Sequence, residues 1–323
     1  MEYRTLSNTD LKVSRLSYGT MPFGSQADEA ASRKLVDRCL DAGINFFDTA
    51  NMYNMGKAET ILGKALAGRR DRAVVATKLA YKMGEGPDDG GLSRAALRKA
   101  LDASLKRLGM DYVDLYYLHW PDRDTPLEET LAAMDEAVRA GKVRYPAISN
   151  FPAWQVCEML WIAEKNGWAP PRVSQVMYNL LTRNTEEEYL PFSKHLGIAV
   201  LPYNPLAGGL LSGKHSRGQG PPAGTRFDKN PLYLGRYWHD DYFDAVDELK
   251  TIARDAGRTL IELAFQWLLG NAQMDSVILG ASRMEQLEEN LKACESGPLD
   301  PETLERCDGV WKRLRGITPK YHR

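Results

Sequence analysis

Along the chain, short apolar runs alternate with longer stretches in which apolar residues recur every three or four positions. The short runs read as strands at 16–19, 44–48, 73–77, 113–118, 143–148, 173–176, 199–203 and 276–279. The stretches between them read as helices. After Ser93, a good N-cap, Leu97, Leu101, Leu105 and Leu108 fall on one face, and Gly109 ends the helix. A second helix runs from about Pro126 to Gly141, with Leu127, Leu131, Met134 and Val138 turned inward. A third carries Trp154, Cys157 and Trp161 and ends near Gly167. Strands that alternate with helices pair in parallel. Eight such units predict an α/β fold of the closed (β/α)8 or TIM-barrel type, with an open doubly wound sheet as the competing arrangement. The opening YRTLSNTDLKVS reads as an added N-terminal β-hairpin that turns near Asn8 and closes the barrel floor. The longest gap separates the seventh and eighth strands and contains HSRGQGPPAGTRFDKNPLYLGRYWHDDYF. Its aromatics predict a folded lid rather than a linker. The whole chain, 1–323, is expected to form a single domain.

In such a barrel the chemistry gathers at the C-terminal ends of the strands. The second strand ends in Asp48, with Tyr53 in the loop beyond it. The third ends in Lys78 and the fourth in His119. The fifth ends in Ser149 and Asn150, the sixth in Gln175 and the seventh in Tyr203. Each has an ordinary structural reading: an N-cap for the Asp, a solvated charge for the Lys, packing for the Tyr, a satisfied core site for the His. Together they converge on one mouth. A phenol has a pKa of about 10, too high for an efficient acid near neutrality. A lysine charge about 4 Å away, at an effective dielectric near 20, is worth about 4 kcal/mol and is expected to lower that value by about three units. Asp48 is then expected to keep Lys78 charged and oriented, and His119 to bond a substrate oxygen. Phe23, Met52, Trp120 and the aromatics of the long gap are expected to line an apolar pocket mouth. Arg226 and Arg236 read equally as attractors of an acidic substrate and as solvated loop charges.

Charge and composition narrow the partners. The chain holds 42 Lys and Arg against 43 Asp and Glu, a formal net charge of -1. That disfavours nucleic acid and anionic membranes as partners, and a small-molecule substrate is expected instead. MEYRTLSNTD has no basic-plus-apolar signal character, and no apolar run approaches a membrane span, so a cytoplasmic location is expected. Cys39, Cys157, Cys294 and Cys307 form no C-x-x-C pair and are expected to be buried free thiols. The five histidines show no metal-ligand spacing, and no metal site is expected. Gly208-x-x-x-x-Gly213-Lys214 resembles a phosphate-binding P-loop, but His215 replaces the Ser or Thr that such a loop needs. Its glycines can still bring backbone N–H groups to a pyrophosphate. A Gly-x-Gly-x-x-Gly fingerprint is absent, which disfavours a Rossmann fold.

The motifs FDTANMY…GKAE, TK, LYYLHWPD, AISN, SQVMYN, PYNPLAGGLLSGKH and VILGASRMEQLEENL, in this order, resemble the aldo-keto reductase superfamily over nearly the whole chain. GWAPPRVSQVMYNLLTR and YNPLAGGLLSGK are most similar to its aflatoxin-aldehyde and succinic-semialdehyde reductase branch, with potassium-channel β subunits as relatives. The resemblance implies NADPH-dependent reduction of an aldehyde or ketone, with Asp48, Tyr53, Lys78 and His119 as a catalytic tetrad and Tyr53 as the acid. It implies that Ser149, Asn150 and Gln175 hold the nicotinamide carboxamide and that Tyr203 stacks on the ring. Asn204, Leu206, Gly208, Lys214 and Gly280 are implied as further cofactor contacts. Ser282 and Arg283, at a predicted helix start, are implied for the 2′-phosphate, with Gln286 and Asn290 near the adenine. The channel relatives imply an alternative, a cofactor-binding regulatory subunit with slow turnover. Alcohol or sugar oxidation at the same site is the other alternative, and a monomer or homodimer is expected. One departure from the family pattern is RYPAISN, where Pro146 and Ala147 precede Ile148. A proline removes a ladder donor, so a local distortion of the fifth strand is expected.

Overall fold

A computed structural model describes residues 1–317 of the chain. A two-stranded antiparallel hairpin, β1 (Tyr3–Thr5) and β2 (Lys12–Ser14), leads into eight parallel strands. These are β3 (Leu16–Gly19), β4 (Phe46–Asp48), β5 (Val74–Leu79), β6 (Val113–Leu118), β7 (Val143–Ser149), β8 (Val173–Met177), β9 (Ala199–Tyr203) and β10 (Val277–Leu279). Each pairs with the next from β3 to β9, and β10 returns to pair with β3. Between β9 and β10 there is one parallel bridge, Val200 to Met274. Asp275 completes that seam. Its carboxylate accepts the Val200 N–H at 2.7 Å, and its own N–H donates to the Val200 carbonyl at 2.9 Å. The barrel is therefore nearly closed, and the open-sheet alternative fails because the first and last of the eight strands meet.

The period of two along each strand decides what the barrel encloses. Phe46, Val74, Ala76, Leu115, Tyr117, Ala147, Val173, Ala199, Leu201 and Ile278 form an interior core, plugged from below by Leu6, Leu11 and Val13 of the hairpin. Their neighbours Phe47, Val75, Tyr116, Ile148 and Val200 point outward into a second core beneath the helices. One step of two further along the interior face brings Asp48 after Phe46, Lys78 after Ala76, His119 after Tyr117, Ser149 after Ala147, Gln175 after Val173 and Tyr203 after Leu201. The lower half of the interior is thus apolar and its upper rim polar.

Helices cover the outside: α1 (Glu29–Asp41), α2 (Lys57–Leu66), α3 (Arg94–Leu108), α4 (Leu127–Arg139), α5 (Ala153–Asn166), α6 (Tyr189–Leu196), α7 (Pro231–Tyr237), α8 (Asp240–Asp255), α9 (Leu260–Gly270), α10 (Met284–Cys294) and α11 (Pro301–Arg315). Ser93 caps α3 by accepting the Ala96 N–H, and Gly109 ends it with φ 64°. Gly63 has a packing reason: a Cβ there would lie 2.1 Å from the Leu108 carbonyl oxygen, so only glycine lets α2 rest on the end of α3.

Two expectations change, the burial of Cys157 and the distortion of the fifth strand. On α5 the buried face is Val156, Met159, Ile162 and Ala163, while Trp154, Cys157 and Trp161 face solvent. This helix is apolar over most of its circumference, so its periodicity did not single out one stripe. Cys39 and Cys307 are buried and Cys294 is half-buried, so Cys157 is the departure from the buried-thiol reading. The β9–β10 gap contains α7, α8 and α9, and its aromatics do form a packed cluster in which Phe227 and Tyr237 are fully buried. Finally, β7 runs through Pro146 with an unbroken register against β6, from Val113 opposite Val143 to Leu118 opposite Ile148. The Pro146 carbonyl still accepts the Arg172 N–H at 3.0 Å, and no bulge forms.

Candidate active site

Lys78 is fully buried, and its ammonium has three donors with three acceptors around it. It pairs with Asp48 Oδ1, donates to the Thr49 carbonyl at 2.8 Å, and reaches the Tyr53 hydroxyl at 3.4 Å. The other oxygen of Asp48 accepts from Gln175 Nε2 at 2.8 Å. A buried carboxylate and a buried ammonium are tolerable only when paired and hydrogen-bonded in this way. His119 stands edge-on to Tyr53, with ring centroids 6.1 Å apart. Its Nδ1 is buried without a partner. Burial, with the Lys78 charge adding, pushes its pKa well below the usual histidine value, so the ring is neutral near pH 7.

The electrostatics of Tyr53 run against the simple expectation. Burial pushes the phenol well above its ordinary pKa, and the Asp48 charge adds to the rise. Lys78 is itself pulled down by burial, opposed by Asp48. Arg226 opposes the rise at Tyr53 without reversing it. Tyr53 is therefore held protonated.

Asp48, Tyr53 and His119 line a cavity of about 500 Å³, while Lys78 lies behind them. Met52 and Trp120 also line it. Phe23 does not: it is completely buried and packs on Tyr18 with ring centroids 5.8 Å apart, and its neighbours Met21 and Pro22 reach the cavity instead. The loop after β3 turns there, and a single turn decides which of three adjacent side chains faces inward. Tyr81 was not singled out from sequence. It also lines the cavity and stacks edge-on against His119 at 5.0 Å. It sits in a loop without periodicity, so no pattern marked it. Arg226 and Arg236 both line the cavity, and each lies over the Tyr233 ring. Neither forms an ion pair among the described residues.

The expected cofactor residues meet along the same cavity. Ser149 Oγ donates to the Gln175 carbonyl at 3.0 Å. Asn150 Nδ2 donates to the His119 carbonyl at 3.0 Å, and the Tyr203 hydroxyl donates to Asn150 Oδ1 at 2.7 Å. These bonds tie together the rims of four strands. Asn204 accepts from the Tyr233 hydroxyl at 3.2 Å. Gly208 has φ 70°, and a Cβ there would lie 2.7 Å from the Tyr233 ring. Leu206, Gly208, Lys214, Gly280, Ser282, Arg283, Gln286 and Asn290 all line the cavity. The Ser282 N–H and hydroxyl both donate to Gln286 Oε1, at 2.9 and 3.1 Å. Asn290 Nδ2 donates to the Gly280 carbonyl at 3.3 Å. Arg283 occupies the N-cap position of α10, which has no side-chain cap. Lys214 faces it closely enough that its pKa is lowered, by burial first and by Arg283 second. His215 takes no part in a phosphate loop. It is buried edge-on between Phe227 and Trp238, with both ring nitrogens unpartnered and its pKa pushed down to about 4 by burial and Lys214.

A polar rim on a parallel barrel, with a buried Asp–Lys pair beside a tyrosine, limits the relatives to compare. The sequence profile of the Aldo/keto reductase family matches residues 15–312. The chain belongs to the aldo/keto reductase family. Among members of this family, it is 41% identical over 329 residues to the "Probable voltage-gated potassium channel subunit beta" of Oryza sativa subsp. japonica, covering 99% of this chain and 100% of the rice protein. It is 38% identical over 320 residues to "Aflatoxin B1 aldehyde reductase member 2" of Rattus norvegicus, covering 94% of this chain and 86% of the rat protein. It is also 38% identical over 332 residues to the "Uncharacterized oxidoreductase YrpG" of Bacillus subtilis, covering 99% of each. Among the described residues, no helix is long and apolar enough to cross a membrane, and no group of three or more His, Cys, Asp or Glu is placed to hold a metal ion.

Proposed function

We propose that this aldo/keto reductase family member reduces aldehydes or ketones to alcohols with NADPH, and that Tyr53 donates the proton. The observation that carries the reading is the Asp48–Lys78–Tyr53 contact at the wall of the cavity, with neutral His119 beside it. A bound nicotinamide cofactor supplies the hydride that the carbonyl carbon accepts. The chain does the rest. Tyr53 stays protonated at neutral pH because burial and Asp48 raise its pKa, so its proton is available when negative charge develops on the carbonyl oxygen. The O–H bond breaks toward that oxygen, and the phenolate left behind faces the third N–H of Lys78. Neutral His119 offers a hydrogen bond to the same oxygen.

The residues fit the cofactor. Lys214 and Arg283 are cations without an ion pair among the described residues, both line the cavity within electrostatic reach of each other, and α10 begins there uncapped. Ser149, Asn150 and Gln175 would hold the carboxamide, and Tyr203 the ring. Asn204, Leu206, Gly208 and Gly280 would line the chain of phosphates. Ser282 and Arg283 would meet the 2′-phosphate, and Gln286 and Asn290 the adenine. A charge-assisted hydrogen bond is worth about 1.5–3 kcal/mol, or about ten- to over a hundredfold in affinity. Arg283→Ala should therefore weaken NADPH binding by about that factor and leave NADH almost untouched. Dissociation constants for both cofactors at one ionic strength check this, and equal losses for both would remove Arg283 from the 2′-phosphate.

Arg226 and Arg236 add positive charge at the substrate end, which favours a carbonyl compound bearing an anionic group. The reading is tested by turnover of uncharged aldehydes, ketones, dicarbonyls and carboxylate-bearing aldehydes with NADPH and NADH. Turnover with NADPH is expected, with the carboxylate-bearing series preferred. The similarity to the rice channel-subunit protein supports a second reading, a nicotinamide-binding subunit with slow turnover. Tight NADPH binding with no substrate turned over in that screen would favour it.

A further inference from the structure

The contact between Tyr53 and Lys78 is the longest of the three that the ammonium makes, at 3.4 Å. It lies at the outer limit of a hydrogen bond, so a small swing of the phenol breaks it. The backbone that carries the phenol is unusual. Tyr53–Gly56 is a short 3₁₀ turn followed directly by α2. Within it Asn54 has φ 48° and ψ 42°, and Met55 has φ 54° and ψ 47°. Gly56 continues the run with φ 84°. Three successive left-handed residues, two of them bearing side chains, are unfavourable unless the surroundings enforce them. Met55 contributes little to that enforcement, being 63% exposed.

The turn is tied at both ends to elements distant in sequence. At its far end Gly56 rests on Arg107 of α3, and a Cβ there would lie 2.6 Å from the arginine Cδ. Nearer the phenol, Asn54 Nδ2 points at three acceptors in the loop after β3. These are the carbonyls of Met21 at 3.1 Å and Phe23 at 2.7 Å, and Ser25 Oγ at 3.1 Å. Two of the three are carbonyls that can only accept, so the amide nitrogen and not its oxygen faces them. Asparagine suits the position twice over: it tolerates left-handed backbone, and its amide supplies the donors.

We infer that Asn54 is a positioning residue for Tyr53: its side-chain amide ties the left-handed turn after Tyr53 to the loop after β3, and so holds the phenol against Lys78. The inference rests on the proposed role of Tyr53 as proton donor. Among the described residues the Asn54 side chain bonds only Met21, Phe23 and Ser25, and so acts through the turn.

The experiment compares three variants in the full-length protein. Asn54→Gly keeps the left-handed backbone and removes the amide. Asn54→Asp keeps backbone tolerance but turns a carboxylate toward two carbonyl oxygens. Asn54→Ala removes both features. Misplacing a catalytic group by about 1 Å can cost about a hundredfold. We expect kcat to fall about ten- to a hundredfold in Asn54→Gly and at least as far in Asn54→Asp. NADPH affinity should stay within about twofold of wild type, and the solvent isotope effect on kcat should rise as proton transfer becomes limiting. A second measurement does not need turnover. With ring-¹³C-labelled tyrosine, the Tyr53 resonance is assigned by its absence in Tyr53→Phe, and it should shift in Asn54→Gly. An Asn54→Gly protein with wild-type kcat and an unmoved Tyr53 resonance would overturn the inference, leaving Asn54 as a mere tolerant residue at a left-handed position. If turnover proves independent of Tyr53, the catalytic reading falls instead, and the resonance alone decides whether Asn54 places the phenol.

Discussion

Tyr53→Phe should lower kcat for carbonyl reduction by about 10²- to 10⁴-fold, the usual worth of a positioned acid, while NADPH binds nearly as before. Among the described residues the phenol's one hydrogen bond is with Lys78, at 3.4 Å, so its removal leaves the Asp48–Lys78–Gln175 network intact. The half-buried ring stays edge-on to His119, and little stability should be lost. The measurement is a single-turnover rate with hydride transfer shown to be limiting, alongside a cofactor dissociation constant. A variant that retains more than about a tenth of wild-type kcat would show that another group delivers the proton. His119 is the nearest substitute, but its neutral ring is a weaker candidate because its pKa lies well below neutrality.

Lys78→Met should remove most activity and also destabilise the fold, and the two effects have separate causes. Asp48 would keep only Gln175 as a partner, and breaking a buried pair by removing one member typically costs about 3–5 kcal/mol. The thermal midpoint should fall accordingly. The double variant Asp48→Asn with Lys78→Met removes the stranded charge, so it should regain much of that stability without regaining activity. The pH profile reports the catalytic effect. Burial and Asp48 already hold the Tyr53 phenol high, and loss of a nearby positive charge is expected to move it higher still. In the alcohol-oxidation direction Tyr53 must give up its proton before it can take another. The pH at which that rate rises should therefore move up relative to wild type. An active Lys78→Met protein with an unmoved profile would separate Lys78 from the proton step.

Much of the site was legible because two short-range rules coincide. Strand periodicity of two fixes which residues face the barrel interior, and parallel βα order puts every strand's C-terminal end on the same side. From Phe46, Ala76 and Tyr117 the same face leads to Asp48, Lys78 and His119, and these rules place the polar rim before any coordinates exist. Likewise, Ser93 and Gly109 bound α3 through local backbone preferences. Tertiary structure alone decided matters that depend on residues far apart in sequence. α5 turns Trp154 and Trp161 to solvent because packing against its neighbours, not its own pattern, selects the buried stripe. Phe23 goes under the loop while Met21 and Pro22 face the cavity, since one turn after β3 sets their directions. The phenol of Tyr53 is kept protonated by burial first and by the Asp48 charge second, an environment that a pairwise Lys–Tyr estimate from spacing does not contain. The reach from Tyr53 to Lys78 also depends on a left-handed turn held by Asn54 against Met21, Phe23 and Ser25. Periodicity and caps act over a few residues, and they set the elements and their faces. The last ångströms of the site come from contacts that exist only once the barrel has closed.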